Sequence, residues 1–515
     1  PSKDDIPVPP LDKKVKTCLK EVFGHDEFRA GQEETVARML VGQNSLVIMP
    51  TGAGKSLCYQ LPAALGKRVV VISPLIALMK DQVDGLPDAL VSRATLINSS
   101  LDSTELERRM AGIIKGKFNL IYVAPERLRQ APFIHALRKL GIDLFVVDEV
   151  HCVSIWGHDF RPDYLFIGPA LKMLNNPLFC GMTATAAPDM RQEIEERIGR
   201  RLITVSIGTY RPNLRFEVKR VLKNADKLNA LSWICHNNPG SGIIYANSRK
   251  KTEEIADYLL ADGIDAGYYH AGMTQDERTA AQEAFMNGKC RVMAATVAFG
   301  MGVDKRDVRF VVHYSLPKSL EGYYQEAGRA GRDNLPSRCV LLYSSSDKAQ
   351  LTVWAAKSQV RMDDLKVVYD SIKKLIPKGA GIIYDDDLRR ETGLDETAVR
   401  VSISLLERVR LIKRRIDVPV SVTLKVIRLQ DTSPEFMEFV SSARLREGQL
   451  VPIDAQEISS RTNIPLHDLE WKLLDWRDMG WIAYRNSGRT MYIERPVPPK
   501  NARKLLDEML KSHRI

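Results

Sequence analysis

From about residue 46 to residue 206, short β-branched and apolar runs alternate with amphipathic stretches, the runs falling at 46–49, 69–72, 120–123, 144–147 and 179–182. None of them alternates apolar with polar residues. A strand that is apolar on both sides is buried on both faces, as in a parallel sheet covered by helices above and below. The same rhythm restarts after Pro212, at 242–245, 267–269, 291–294, 310–312 and 339–342. The expected architecture is therefore α/β, with two parallel-sheet domains at 23–207 and 208–345 behind an N-terminal segment at 1–22. They are joined through Gly208-Thr-Tyr-Arg-Pro-Asn213, a turn-rich stretch. Two such domains in tandem make a cleft.

After about residue 346 the pattern changes to helices and short hairpins, and the chain repeats itself at an offset of 70 residues, which marks an internal duplication. The first copy is Asp387-Leu-Arg-Arg-Glu-Thr-Gly-Leu394, then Val399, Ile403, Leu406 and Val409, then Leu411-Ile412. The second is Glu457-Ile-Ser-Ser-Arg-Thr-Asn-Ile464, then Leu469, Leu473, Trp476 and Met479, then Trp481-Ile482. A short helix, a Gly or Asn turn, a second helix and a strand describe a winged helix-turn-helix. Tandem winged helices are expected at 379–430 and 431–495, after a plain helical linker at 346–378 and before a tail at 496–515. Asn486-Ser-Gly488 reads as the turn of a hairpin wing in the second copy.

At 44% hydrophobic and 27% charged residues, the composition fits a globular chain and excludes disorder and fibrous repeats. The balance of 75 Lys and Arg against 64 Asp and Glu gives +11, which favours an acidic polymer as partner. Seven cysteines, never spaced Cys-x-x-Cys, read as reduced thiols rather than a disulfide framework or a zinc knuckle. No apolar run reaches the roughly 18 residues of a membrane helix, and residues 1–10 lack the apolar core of a signal peptide. The absent initiator Met suggests a piece of a longer chain. The expected setting is the cytoplasm and nucleoid of a bacterium or the nucleus of a eukaryote, with no membrane partner.

Met49-Pro-Thr-Gly-Ala-Gly-Lys-Ser56 follows a strand and opens a helix, the context of a phosphate-binding loop. Thr51, Gly52 and Gly54 would present backbone N–H groups to phosphates, Lys55 would reach the β and γ phosphates, and the Ser56 hydroxyl would ligate Mg²⁺. Downstream, Leu144-Phe-Val-Val-Asp-Glu149 ends an apolar strand, expected beside the loop's strand, in two acids. Asp148 would hold Mg²⁺ and Glu149 would accept a proton from an attacking water. Gln325, Arg329 and Arg332 fall at i, i+4 and i+7, so one helical face of the second domain would present an amide and two guanidiniums to an anion. An Arg that crosses a cleft to a transferring phosphoryl group makes hydrolysis depend on closure. A solvated acid pair and a solvated helix face are the plain alternatives; together with a phosphate loop, the three sets point to nucleoside triphosphate hydrolysis.

Several of these segments form a series: Pro50-Thr-Gly-Ala-Gly-Lys-Ser-Leu-Cys-Tyr-Gln60, Asp148-Glu-Val-His151, Trp156-Gly-His-Asp-Phe-Arg-Pro162, Thr183-Ala-Thr-Ala186, Ala298-Phe-Gly-Met-Gly302 and Tyr324-Gln-Glu-Ala-Gly-Arg-Ala-Gly-Arg-Asp333. Over about residues 17–345 the chain closely resembles the RecQ family of superfamily 2 DNA helicases. The resemblance implies two RecA-like domains forming an ATP-driven motor that moves 3′ to 5′ along one DNA strand. In this likeness Gln32, assisted by Arg29, reads the adenine, Asp304 meets the ribose, and Arg332 is the principal arginine finger with Arg329 beside it. Ser73, Lys80, Asn247 and Arg249 would track the strand. Trp156, His158, Phe160 and Arg161 resemble an aromatic-rich loop that stacks on unpaired bases, in keeping with the affinity of exposed aromatics and cations for single strands.

Two departures stand out. Val150 takes the place of the family's usual Ala, and no cysteine follows Cys339, so the family's zinc segment is not expected and neither is structural zinc. The anticipated partners are ATP, Mg²⁺ and DNA, single-stranded and forked. Lys413, Arg414, Arg415, Arg485 and Arg489 would contact duplex phosphates, with the wing as a separating pin. The competing readings are a DNA-stimulated translocase or RNA helicase that opens no DNA duplex, and an architectural duplex-binding protein.

Overall fold

The computed structural model describes residues 7–512 except 51, 75, 155–160, 187, 209, 224–225, 301–304 and 359. The first domain carries strands β1 (Ser45–Ile48), β2 (Val69–Ile72), β3 (Ala94–Ile97), β4 (Leu120–Val123), β5 (Leu144–Val147), β6 (Leu178–Thr183) and β7 (Ile203–Ser206). They form one parallel sheet in the order β3-β4-β2-β5-β6-β1-β7. Alternate residues enter two separate cores. Leu46, Ile48, Val70, Ile72, Phe145 and Val147 face one, and Val47, Val69, Val71, Tyr122 and Val146 face the other. Both faces are thus apolar, which is why the central strands read as unbroken runs. The outermost strands β3 and β7 escape that reading because an edge strand needs less apolar cover and carries Thr95, Thr204 and Ser206.

The second domain repeats the plan with β8 (Leu214–Arg220), β9 (Ser241–Tyr245), β10 (Ala266–Tyr269), β11 (Val292–Ala295), β12 (Val308–His313) and β13 (Ser337–Tyr343), in the order β10-β11-β9-β12-β13-β8. Here too the edge strand, β8, is hidden from sequence by its charged residues. One expectation about placement is corrected. The strand ending in the two acids, β5, does not adjoin β1; β6 lies between them and brings Thr183 to the site.

The last third forms a mixed layer of helices and one antiparallel sheet built from β14 (Ala380–Ile383), β15 (Lys413–Arg414), β16 (Val418–Val426), β17 (Leu450–Asp454) and β18 (Ile482–Glu494). Its path is β14-β18-β16-β17, with β15 also on β18. Each sequence copy does supply a helix-turn-helix: Asp385–Thr392 with Glu396–Arg408, and Ala455–Thr462 with Leu466–Asp478. The two winged-helix-like units, however, exchange strands. The end of β18 sends Met491 and Ile493 into the first core beside Ile383, Leu388 and Val399, while β16 sends Val422 and Leu424 into the second beside Ile458 and Leu469. The boundary expected at 430/431 therefore separates no sheet. The segments read as linker and tail also belong to the first core, through Leu365, Val368 and Ile372 of helix Met362–Leu375 and Leu506 and Met509 of helix Ala502–Ser512.

The expected wing is overturned. Strand β18 runs straight through Asn486-Ser-Gly488, pairing Asn486 with Val422 and Ser487 with Ser421. Gly488, at φ +69° and close to Val420, stays within the paired strand and makes no turn. Pairing with β16, far back in the chain, overrides a local turn signal.

Strand β18 also places Arg489 in the interior, where its guanidinium donates to both Glu470 oxygens at 2.6 and 2.8 Å. Tyr484 donates to the same carboxylate, whose side chain is 3% exposed. Replacing Glu470 with Gln leaves a buried guanidinium without its counter-charge, which costs about 3–5 kcal/mol. Urea unfolding should show that loss, and a change within the scatter of surface variants would mean that the pair is dispensable.

Candidate functional site

β1 delivers the chain into the phosphate loop, and helix Lys55–Ala64 leaves it. Gly52 and Gly54 hold φ +85° and +81°, a left-handed conformation that turns backbone N–H groups inward at little cost only for glycine. Space is a second reason at Gly54, where a Cβ would stand 2.6 Å from Gln32 Nε2. Lys55 donates through Nζ to the Met49 carbonyl at 3.0 Å, folded along its own loop. Ser56 follows on the first turn of the helix. Gln32 is 2% exposed and donates to the carbonyls of Ala53 and Gly54 at 3.1 and 3.0 Å, while Arg29 reaches the Gly52 carbonyl at 3.3 Å. In this structure both side chains read the loop itself.

β5 ends in the acids. Glu149 sits at φ +49°, a strained setting for a residue with a Cβ and one that clusters at functional sites. Burial, together with the neighbouring Glu149 carboxylate, pushes the Asp148 carboxyl well above the usual carboxylate range, against the pull of Lys55. Burial works on Glu149 in the same direction, but His151, Lys55 and Arg329 outweigh it and hold that carboxyl below the usual carboxylate range. His151 lies 3.3 Å from Glu149 Oε2, and its Nδ1 is 3.0 Å from Thr183 Oγ1. An ionised Glu149 suits a proton acceptor, and hard carboxylate and hydroxyl oxygens beside a phosphate loop suit Mg²⁺.

The Asp148 shift has a sign that can be tested. The folded chain keeps its proton to a higher pH than the unfolded chain, which releases it near the ordinary value of about 4. This group's contribution is thus present at low pH and lost as pH rises through the raised folded value. In metal-free buffer, Asp148→Asn should raise the melting temperature more at pH 8 than at pH 5.5. An equal or reversed gap would refute the shift.

From the second domain, Gln325 Nε2 donates across the cleft to Glu149 Oε1 at 3.5 Å. Arg332 packs on Gly52, its Cγ 3.5 Å from the point a Cβ there would occupy. Arg329 is 8% exposed and helps hold Glu149 ionised. Their spacing predicts one shared helical face, and the structure corrects this. The helix is Leu320–Ala327, and the arginines follow in a turn whose Gly331 has φ +56°. A Cβ on Gly331 would stand 2.5 Å from Asn213 Nδ2 and 2.8 Å from the Leu335 carbonyl. Arg211 fixes this turn, donating to the Gly328 and Gly331 carbonyls at 2.6 Å each. By sequence, Arg211 and Asn213 read only as linker residues. His151 and Thr183 carry no role assigned from sequence either, although both sit in segments singled out there.

Of the expected strand-tracking residues, Ser73 closes β2 and its buried Oγ has no hydrogen-bond partner among the described residues, and Lys80 is exposed on helix Ile76–Asp84. Asn247 donates to the Leu316 carbonyl at 3.0 Å, Arg249 opens helix Arg249–Ala261, and Arg161 donates to the Pro74 carbonyl at 2.8 Å. Thr51, Trp156, His158, Phe160 and Asp304 lie outside the described residues. The basic residues of the last third are corrected: Arg414 pairs with Asp417, Arg415 with Glu494 and Arg489 with Glu470. Arg485 reaches Glu107 of the first domain at 3.4 Å, and Lys413 is exposed. Of the basic run at 413–415, Arg414 and Arg415 are each matched by a carboxylate of the same unit.

Two family descriptions match the chain: DEAD/DEAH box helicase over residues 29–194 and helicase conserved C-terminal domain over residues 224–334. The ATP-dependent DNA helicase RecQ of Bacillus subtilis (strain 168) is 43% identical over 338 residues, 65% of this chain and 57% of that protein. The probable ATP-dependent DNA helicase RecS of the same organism is 34% identical over 419 residues, 80% of this chain and 84% of that protein. Against the RecQ proteins, then, the chain spans little more than half the relatives' length. Among solved structures, the helicase Lhr of Mycobacterium smegmatis, bound to single-stranded DNA and AMP-PNP, covers 84% of this chain and 62% of its own, with TM-score 0.54 and 20% identity. That likeness speaks for the fold alone.

Proposed function

The chain belongs to the RecQ family of superfamily 2 helicases, and from that premise we propose that it is an ATP-driven motor that moves 3′ to 5′ along one DNA strand and separates the duplex ahead of it. One observation carries the reading: groups from both domains converge on one spot, with Gln325 3.5 Å from Glu149 and Arg332 against Gly52. A nucleotide held there touches both lobes, so binding favours closure and turnover releases it. Lys55 grips the phosphates, Glu149 takes a proton from the attacking water, and Arg332 and Arg329 stabilise charge on the transferring group. Mg²⁺ held by Ser56 and Asp148 would offset charge on the phosphate oxygens. Gln32 and Arg29, next to the loop, are placed to meet the base.

On the DNA side, Ser73, Lys80, Arg161, Asn247 and Arg249 lie on the first and second domains and are the proposed contacts to the tracked strand, with Trp156, His158 and Phe160 stacking on bases. ATP turnover should rise severalfold on adding single-stranded DNA, and a forked duplex should open only with ATP present. Turnover indifferent to DNA would refute the motor. The alternative, a translocase that opens no duplex, is not favoured by the relatives, which carry helicase names. DNA-stimulated turnover without fork opening would select it.

A further inference from the structure

Both helix-turn-helix units lay their second helices on the first domain. Leu474 of helix Leu466–Asp478 is fully buried in one core with Phe133, Ile134 and Leu137 of helix Ala131–Leu140, and at the rim of that contact Lys139 lies 3.3 Å from Asp478. The other second helix, Glu396–Arg408, ends against a different place. Arg408 donates to Glu193 at 3.1 Å, and Glu407 lies 3.5 Å from Arg129. Glu193 stands on helix Pro188–Ile198, the next helix after β6, and is 6% exposed. A carboxylate this far from water needs donors on both oxygens to offset its lost hydration. One oxygen accepts from Arg408, with Arg197 3.6 Å away, and the other accepts from Ser154 Oγ at 2.5 Å.

Ser154 closes the short turn of helix Val150–Val153, which starts directly after Glu149. Within it the Cys152 N–H donates to the Glu149 carbonyl and the Ser154 N–H to the His151 carbonyl, each at 2.9 Å. The turn is therefore one hydrogen-bonded piece from the acid to the serine. Glu149 enters it at φ +49°, a conformation that persists only where the surroundings hold it. Two fixed points do so, Ser154 on Glu193 and His151 on Thr183, and both lead to the same helix. Thr183 Oγ1 donates to the Thr185 carbonyl at 2.9 Å, and Arg191 of helix Pro188–Ile198 donates to the Ala186 carbonyl at 3.1 Å. A parallel brace runs from Glu407 to Arg129, whose guanidinium lies 4.4 Å from the centre of the Phe166 ring. In the same turn as Phe166, Tyr164 donates to the Asp148 carbonyl at 3.1 Å. The end of one helix in the last third thus bears on the backbone of both acids.

We infer that Arg408 and Glu193 are positioning residues for ATP hydrolysis: through Glu193 and Ser154, the end of helix Glu396–Arg408 holds the turn that carries Glu149, so the docked last third sets how fast the first domain turns ATP over. The inference rests on the reading of Glu149 as the proton acceptor. Steady-state turnover of Arg408→Gln, Ser154→Ala and the double variant tests it. Each single change should lower kcat about tenfold and leave KM for ATP within about twofold, because a reacting group held slightly out of place loses rate rather than binding. The double variant should lose no more than the worse single one, since both act through Glu193, whereas independent residues would multiply their losses. Arg408→Lys, which keeps the charge and a donor, should recover most of kcat. Lys139→Gln, which breaks an ion pair at the other docked helix, should leave kcat as it is. Parental affinity for a fluorescent nucleotide analogue, measured without turnover, shows that the variants fold. Unchanged kcat in both single variants, multiplied losses in the double, or an equal loss in Lys139→Gln overturns the inference. Glu149→Gln separates it from the reading it rests on: full turnover there removes Glu149 as proton acceptor, whereas an inactive Glu149→Gln beside fully active Arg408→Gln and Ser154→Ala keeps Glu149 in its role and rejects the brace.

Discussion

Arg332→Ala is expected to lower ATP turnover by about 10³-fold or more, since an arginine that meets the transferring phosphoryl group contributes roughly 10³ to 10⁵. Arg332 reaches the loop from the other domain and lies on Gly52, so its loss removes charge stabilisation at the transition state while the loop, Lys55 and the acids stay in place. Nucleotide affinity, followed with a fluorescent analogue, should change far less than turnover. Arg332→Lys should recover little, because a point charge on a flexible four-carbon stem lacks the planar fork. A variant that hydrolyses ATP within tenfold of the parent would place the finger elsewhere, and Arg329 would be the next residue to replace.

Lys55→Ala is expected to reduce turnover by about 10² to 10³-fold, the usual effect of removing one preorganised electrostatic donor, and to weaken nucleotide binding as well. Its structural consequence should be small. In this structure the side chain donates to the Met49 carbonyl, and a single such bond is worth about 1 kcal/mol. Binding of single-stranded DNA without nucleotide should be preserved, because the phosphate loop is not among the strand-tracking residues. Retained hydrolysis in a folded Lys55→Ala protein would remove the phosphate loop from the mechanism.

Much of the two-lobed part of the chain is written locally. Both parallel sheets are visible in the sequence because their inner strands are apolar on two faces, and the loop, the acids and the arginines are visible because their chemistry needs fixed residue types at fixed spacings. The edge strands β3, β7 and β8 are not, since solvent on one side lets polar residues in. Nor does spacing reveal that Arg329 and Arg332 leave the helix. Gly331 turns the chain there, and Arg211, more than a hundred residues away, holds the turn by its carbonyls.

The sequence by itself determined that two α/β lobes would follow one another, the first carrying a phosphate-loop pattern and an acid pair and the second a set of arginines, because burial on both faces and the loop's spacing act on neighbouring residues. Only the tertiary structure decided what the duplicated last third does with its strands and charges. There β18 joins both copies, Arg414, Arg415 and Arg489 find carboxylates, and both second helices pack on the first domain. Those outcomes depend on pairings between residues far apart in the chain, where long-range packing outweighs the local signals of a turn or a basic run.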